Sequence, residues 1–209
     1  MTVLQGSLLD LVGGPGPRPL GPPGSARSEL ADGAWIDVHR GWIGGADDLF
    51  ERLVDAVPWQ AERRPMYERM VDVPRLTAFY GPDEPLPDPL LETARDQLND
   101  RYREEPGGPL CTGGLCFYRD GHDSVAWHGD RVGRGAHRDT VVAIVSLGAT
   151  RRLSLRRNRG GSTRRIDMAA GDLVVMGGSI QRTWQHAVLK TARPVGPRLS
   201  VQFRQRGVR

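Results

Sequence analysis

Apolar positions in this chain follow two textures, and the change comes near residue 110. Before it, Leu49, Phe50, Leu53, Val54 and Val57 recur at helical spacing, predicting a helix over Asp47 to Val57 that Pro58 ends. A second helix is predicted from Pro89 to Tyr102. Asp88 is its N-cap, Pro89 takes the first helical position, and Leu90, Leu91, Ala94 and Leu98 form its buried stripe. Trp35 to His39 reads as a strand. After residue 110 the apolar residues come in short runs between Gly, Asp and Arg clusters: Leu115 to Tyr118, Val125 to His128, Thr140 to Leu147, Leu153 to Arg156, Leu173 to Met176 and Leu199 to Phe203. Evenly spaced short strands with turn residues between them read as a β-sandwich or barrel. The expectation is a mainly β (α+β) domain whose flanking helices pack on one outer face.

Ten of the twelve residues from 13 to 24 are Gly or Pro, a composition that cannot hold a helix or a central strand. Residues 1–33 are therefore expected to be a flexible arm, and residues 34–209 the domain. At 209 residues the chain suffices for one domain and a tail. No apolar run approaches the roughly eighteen residues of a membrane span. Nor does a basic start lead into an apolar stretch, so neither a membrane span nor a secretory signal is expected. Cys111 and Cys116 are too few for a disulfide framework or a four-cysteine zinc site, which points to thiols in a reducing cytoplasm.

The net charge of +4 conceals an asymmetry. Residues 131–209 hold 17 basic groups, 16 of them Arg, against Asp139, Asp167 and Asp172, a net +14 that leaves −10 in the rest. Such a half suits a polyanion. The run Arg151 to Arg165 alone has seven arginines and no acid, fit for phosphate contacts.

Among five histidines, His128-Gly-Asp130 is the informative one. On a strand, residues i and i+2 share a face, so imidazole and carboxylate converge while Gly129 adds no side chain between them. A distant third ligand would complete a two-histidine, one-carboxylate site with open positions, which suits Fe(II). His186 is the best candidate for it, and His137-Arg-Asp139 is a competing motif of the same spelling. In Arg198 to Arg204, the positions Arg198, Ser200, Gln202 and Arg204 share one face, and Leu199, Val201 and Phe203 take the other, which must be core. Two inward arginines are costly unless each meets an anion. Their Cα atoms lie about 20 Å apart on an extended strand, so leaning side chains would clamp a small dicarboxylate.

These segments in order, Leu115 to Asp130, Val145-Ser-Leu-Gly148, Gly171 to Gly178, Arg182-x-x-x-His186 and Arg198 to Arg204, closely resemble the AlkB family. Its members are Fe(II)- and 2-oxoglutarate-dependent dioxygenases that repair alkylated nucleic acids, and the resemblance runs from about Pro74 to the C-terminus. It implies a double-stranded β-helix, or jelly roll, and a catalytic triad of iron ligands His128, Asp130 and His186. It implies that Arg198 pairs with the distal carboxylate of 2-oxoglutarate, Arg204 with the metal-chelating end, and that Tyr118 also contacts this co-substrate. With O2, the implied reaction yields succinate and carbon dioxide, hydroxylates the alkyl carbon on a base nitrogen and releases formaldehyde. The target base must be flipped out or single-stranded.

Three positions depart from the family. Cys116 and Ser200 stand where members usually have asparagines of the co-substrate site, and Val132 stands where many carry an acid that helps read the base. Asp139 is a nearby substitute. Pro74 to Gly81 resembles the strand leading into the nucleotide-recognition lid, where Arg75 and Tyr80, or Phe79 beside it, are candidates for substrate contact. Trp127 and Trp184 flank the ligands as packing residues. The partner implied is alkylated DNA, with RNA the further option, and a monomer is expected. A rival reading from another substrate class is a 2-oxoglutarate-dependent hydroxylase of a protein or small molecule, and a second rival is a catalytically idle binding module. Finally, Gln5-Gly-Ser-Leu-Leu9 resembles the short peptide by which bacterial repair proteins hold the sliding clamp. A flexible arm behind it would raise the local concentration of enzyme on DNA.

Overall fold

The computed structural model describes residues 14–21, 26–66, 69–131 and 133–208. The described strands are β1 (Gly16–Pro17), β2 (Arg27–Glu29), β3 (Ala34–His39), β4 (Ile43–Gly44), β5 (Gln60–Met66), β6 (Arg69–Tyr80), β7 (Leu110–Tyr118), β8 (Val125–His128), β9 (Val142–Gly148), β10 (Arg151–Arg157), β11 (Arg164–Met168), β12 (Leu173–Gly178), β13 (Trp184–Val188) and β14 (Arg198–Gln205). The helices are α1 (Ala46–Ala56), α2 (Pro89–Arg101) and the single turn α3 (Ile180–Thr183). An eight-stranded antiparallel sheet, β2-β3-β12-β9-β14-β7-β6-β5, faces a four-stranded one, β11-β10-β13-β8. This is the jelly roll, with strands that pair across long separations in sequence.

Side-chain alternation sorts the large sheet into two cores. Leu173 and Val175 of β12, Ala143, Val145 and Leu147 of β9, and Leu199, Val201 and Phe203 of β14 join α1 and α2 in one cluster. Val174 and Met176, with Val142 and Ile144, point the other way, toward Leu153, Leu155 and Trp184 between the sheets. Strands covered on both faces read as unbroken apolar runs, which is why β9 and β12 lack alternation in sequence. Both helices therefore lie on one outer face, as their position ahead of the β core predicts. Asp88 accepts the Leu90 amide at 2.9 Å as a helix cap and also the Arg52 guanidinium at 2.8 Å, which ties α2 to α1.

The domain starts earlier than Ala34. Gly16–Pro17 pairs with β4, the Arg18 amide donates to Trp42 O at 2.7 Å, and Arg27–Glu29 adds an edge strand to β3. Pro17 fits because a short outer strand spares it a ladder donor. Arg27 is held from three sides, by the Trp35 ring 3.6 Å beneath it, Glu105 at 2.8 Å and the buried Asp37 at 3.4 Å. The segment Gln5 to Leu9 and Val132 lie outside the described residues. The β5–β6 pair has no simple alternation: its strands are charged and interrupted by Pro65 and Pro74, tolerable at the outer end of a sheet.

Candidate active site

Between the sheets lies a cavity lined by Arg75, Cys116, Tyr118, His128, His186, Arg198, Ser200, Gln202 and Arg204 together with apolar residues. β8 ends at His128, directly opposite His186 on β13. The chain turns at Gly129, where a Cβ would stand 2.5 Å from Gln181 O, so only glycine lets Asp130 swing back beside the two imidazoles. Their ligand atoms lie within 4.8 Å of one another, and the rings are 4.2 Å apart. Among the described residues this is the one such group of potential ligands, and the competing His137 is exposed outside it.

The protonation states suit a metal. His128 Nδ1 faces Ala126 O at 2.8 Å; as a donor there it leaves Nε2 free to ligate. Burial, then the neighbouring His128, lower the His186 pKa to about 3, so its imidazole is neutral. Burial alone would raise the Asp130 carboxyl, but the charge and hydrogen bond of Arg204 outweigh it and keep it ionised. Arg204 Nε donates to Asp130 Oδ2 at 2.7 Å.

Deeper in the cavity, Arg198 is buried, with Nε donating to Ser146 Oγ at 2.9 Å and its carbon 5.1 Å from the Tyr118 ring centre. Its Nη1 is buried with no acceptor. A guanidinium so placed calls for an anion. Arg75 lines the same wall, anchored by Nη1 to Ser124 O at 3.1 Å. The residues present thus fit both a divalent iron and a 2-oxo dicarboxylate.

Two candidates stand elsewhere. Thr77 lies opposite Cys116 on β7, so Arg75, Thr77 and Phe79 share the cavity face of β6, and Tyr80 points to the helix-side core. Phe79 is 54% exposed and is the aromatic that β6 offers outward on that face. Asp139 is paired with Arg182 and is absent from the cavity wall. Trp184 packs in the inner core, whereas Trp127 carries Arg156 4.2 Å above its ring. Sequence reasoning missed Ser146 and Gln181. Gln181 Oε1 accepts the Asp130 amide at 2.9 Å, pinning the ligand loop from the turn before β13.

Residues 80–204 match the 2OG-Fe(II) oxygenase superfamily. The chain is 31% identical to the human (Homo sapiens) alpha-ketoglutarate-dependent dioxygenase alkB homolog 3 over 205 residues, covering 88% of this chain and 68% of that protein. The cow (Bos taurus) homolog 3 is 30% identical with the same coverage, and the mouse (Mus musculus) protein 32% over 206 residues. Among solved structures, OsALKBH1 superposes with a TM-score of 0.57 at 16% identity, covering 86% of this chain and 99% of that one. A Pseudomonas putida prolyl-4-hydroxylase does so with 0.56 at 19%, covering 82% and 93%. At such identities these two likenesses speak for the fold.

Proposed function

Because this chain belongs to the AlkB family of 2OG-Fe(II) oxygenases, and so is an Fe(II)- and 2-oxoglutarate-dependent dioxygenase using O2, we propose that it removes alkyl groups from base nitrogens of DNA or RNA in alkylation repair. The observation that carries this reading is the pairing, in one cavity, of the His128, Asp130 and His186 ligand atoms with the acceptor-less Nη1 of Arg198. In the proposal the three residues hold the iron, and Arg198 with Tyr118 takes the distal carboxylate of 2-oxoglutarate. Bound together, iron and 2-oxoglutarate would activate O2, one oxygen atom passing to succinate as carbon dioxide leaves and the other hydroxylating the alkyl carbon, so that a methyl group would depart as formaldehyde and the base nitrogen regain its proton.

The chain's own residues prepare that chemistry. Arg204 holds Asp130 ionised and oriented, Ala126 O selects the His128 tautomer, and Gln181 fixes the loop between them. The nucleic-acid assignment draws support from the basic C-terminal half. Leu155 pairs with His186, and Asn158 is bound to Thr183 O and Arg182 O, so the β10–β11 turn lies at the His128 end of the barrel. Arg159 and Arg165 are exposed beside that turn, with no ion pair among the described residues. In the same reading, Phe79 and Arg75, which share one face of β6, are the side chains of that strand that meet substrate.

Incubation of methylated oligonucleotides with enzyme, Fe(II), 2-oxoglutarate and air is the direct test. Loss of the methyl mass with formaldehyde release is expected. Succinate formation with every oligonucleotide unchanged would reassign the enzyme to protein or small-molecule substrates. A cytoplasmic monomer tethered to the sliding clamp through Gln5 to Leu9 belongs to the same proposal, and titrating a peptide of residues 1–12 against the clamp tests the tether.

A further inference from the structure

Among the described residues, Gln202 is the only carboxamide in the cavity wall. It sits at mid-strand on β14, opposite Gly114 of β7 and between the two arginines of its own face. Its Oε1 accepts from Arg204 Nη2 at 2.8 Å. Arginine can only donate, so this contact fixes the amide's orientation and sends Nε2 the other way. There Nε2 donates to Ser200 Oγ at 2.9 Å and lies 3.5 Å from Cys116 Sγ. Neither the Cys116 thiol nor the Ser200 hydroxyl offers an amide donor of its own.

We propose that Gln202 is a co-substrate-reading residue of this chain, supplying from one position on β14 the amide donor that Cys116 and Ser200 cannot. The inference rests on the reading of the cavity as the 2-oxoglutarate site. Thiol sulfur is a weak acceptor, so the Nε2 hydrogen facing Cys116 is held loosely. A carboxylate is a far stronger acceptor, so handing the hydrogen from sulfur to a bound co-substrate is favourable. Meanwhile Oε1 keeps the Arg204 fork aimed, leaving Nε on Asp130. Gly114 makes the arrangement possible: a Cβ there would stand 2.9 Å from Arg204 Nη1 and 3.6 Å from Gln202 Oε1.

The test is anaerobic binding of 2-oxoglutarate to full-length protein loaded with Mn(II), followed by calorimetry, with Mn(II) affinity measured separately. Gln202→Leu keeps the volume and removes the amide. It is expected to weaken 2-oxoglutarate binding roughly tenfold or more, the scale of a hydrogen bond to a charged group. Adding Cys116→Asn to that variant is expected to restore most of the loss, because the amide returns from the facing strand. Arg198→Leu is the control for the underlying reading. If Arg198→Leu abolishes binding and Gln202→Leu leaves it unchanged, the cavity assignment stands and the role of Gln202 is overturned. Unchanged binding in Arg198→Leu overturns the cavity assignment itself. Loss in Gln202→Leu that Cys116→Asn fails to restore, or that appears equally in Mn(II) affinity, also rejects the role, since it would mark a purely structural contact.

Discussion

On the helix side of β14, Leu199, Val201 and Phe203 are completely buried; on the cavity side of the same strand, Arg198 and Ser200 are buried almost as deeply, each 2% exposed. The helix face is stabilised by transfer out of water, about 1.5–3 kcal/mol for each large side chain. The cavity face gains nothing of that kind. Its groups are held by a chain of polar contacts in which Ser200 accepts from Gln202, Gln202 accepts from Arg204, and Arg204 reaches Asp130. One Arg198 donor still lacks an acceptor. Burial as such therefore has opposite meanings on the two faces: on one it is the source of stability, on the other a cost carried until ligand arrives.

The largest loss of function is expected at the metal ligands. Asp130→Ala and His186→Ala are each expected to abolish turnover and Fe(II) binding while the far-ultraviolet circular dichroism spectrum stays that of the parent. Full activity in either variant would remove the residue from the ligand set. On the helix face the effect should invert. Phe203→Ala is expected to cost about 3–5 kcal/mol in denaturant unfolding, as a large core truncation does. Any of the variant that remains folded should retain its 2-oxoglutarate affinity, and a specific loss of that affinity would mean the two faces are not separable.

Arg198→Leu probes the cost on the cavity face. Without co-substrate the variant is expected to melt at or above the temperature of the parent, because a desolvated guanidinium with an orphaned donor has been replaced by an apolar group. With co-substrate present, the parent should gain stability and the variant should not. A lower melting temperature for the ligand-free variant would show that Ser146 and Tyr118 already satisfy the arginine.

The helix face is legible in sequence and much of the cavity face is not, for a physical reason. Alternation in Arg198 to Arg204 and helical spacing in α1 are local patterns that burial imposes directly, and Asp88-Pro89 marks the start of α2 by capping. The same parity separates Tyr80 from Phe79, because residues 75, 77 and 79 must share the side that Arg75 takes. Only the pairing of β6 with β7 tells which side is the cavity. Ser146 and Gln181 are single polar residues in apolar or loop contexts, and only tertiary contact gives them a partner in the site. Proximity in sequence points to Asp139 as a substrate contact, whereas its pairing with Arg182, far along the chain, is visible only in the fold.

The smallest expected effect concerns the outer surface, where charge is neither buried nor committed. Of the arginines on β10 and β11, Arg152 pairs with Asp167 and Arg157 with Asp32, which neutralises part of the run. Arg159 and Arg165 have no such partner among the described residues, so their charge remains available to phosphates. Removing an arginine that neutralises one phosphate should lower the slope of log affinity against log salt by about 0.7–0.9. The double variant Arg159→Ala/Arg165→Ala is therefore expected to bind oligonucleotides more weakly at low salt and to converge with the parent as salt rises. Its 2-oxoglutarate requirement and its melting temperature should not move, because neither side chain touches the cavity or either core. A salt slope identical to that of the parent would place the nucleic acid on another part of the surface and leave this turn as a solvated basic edge.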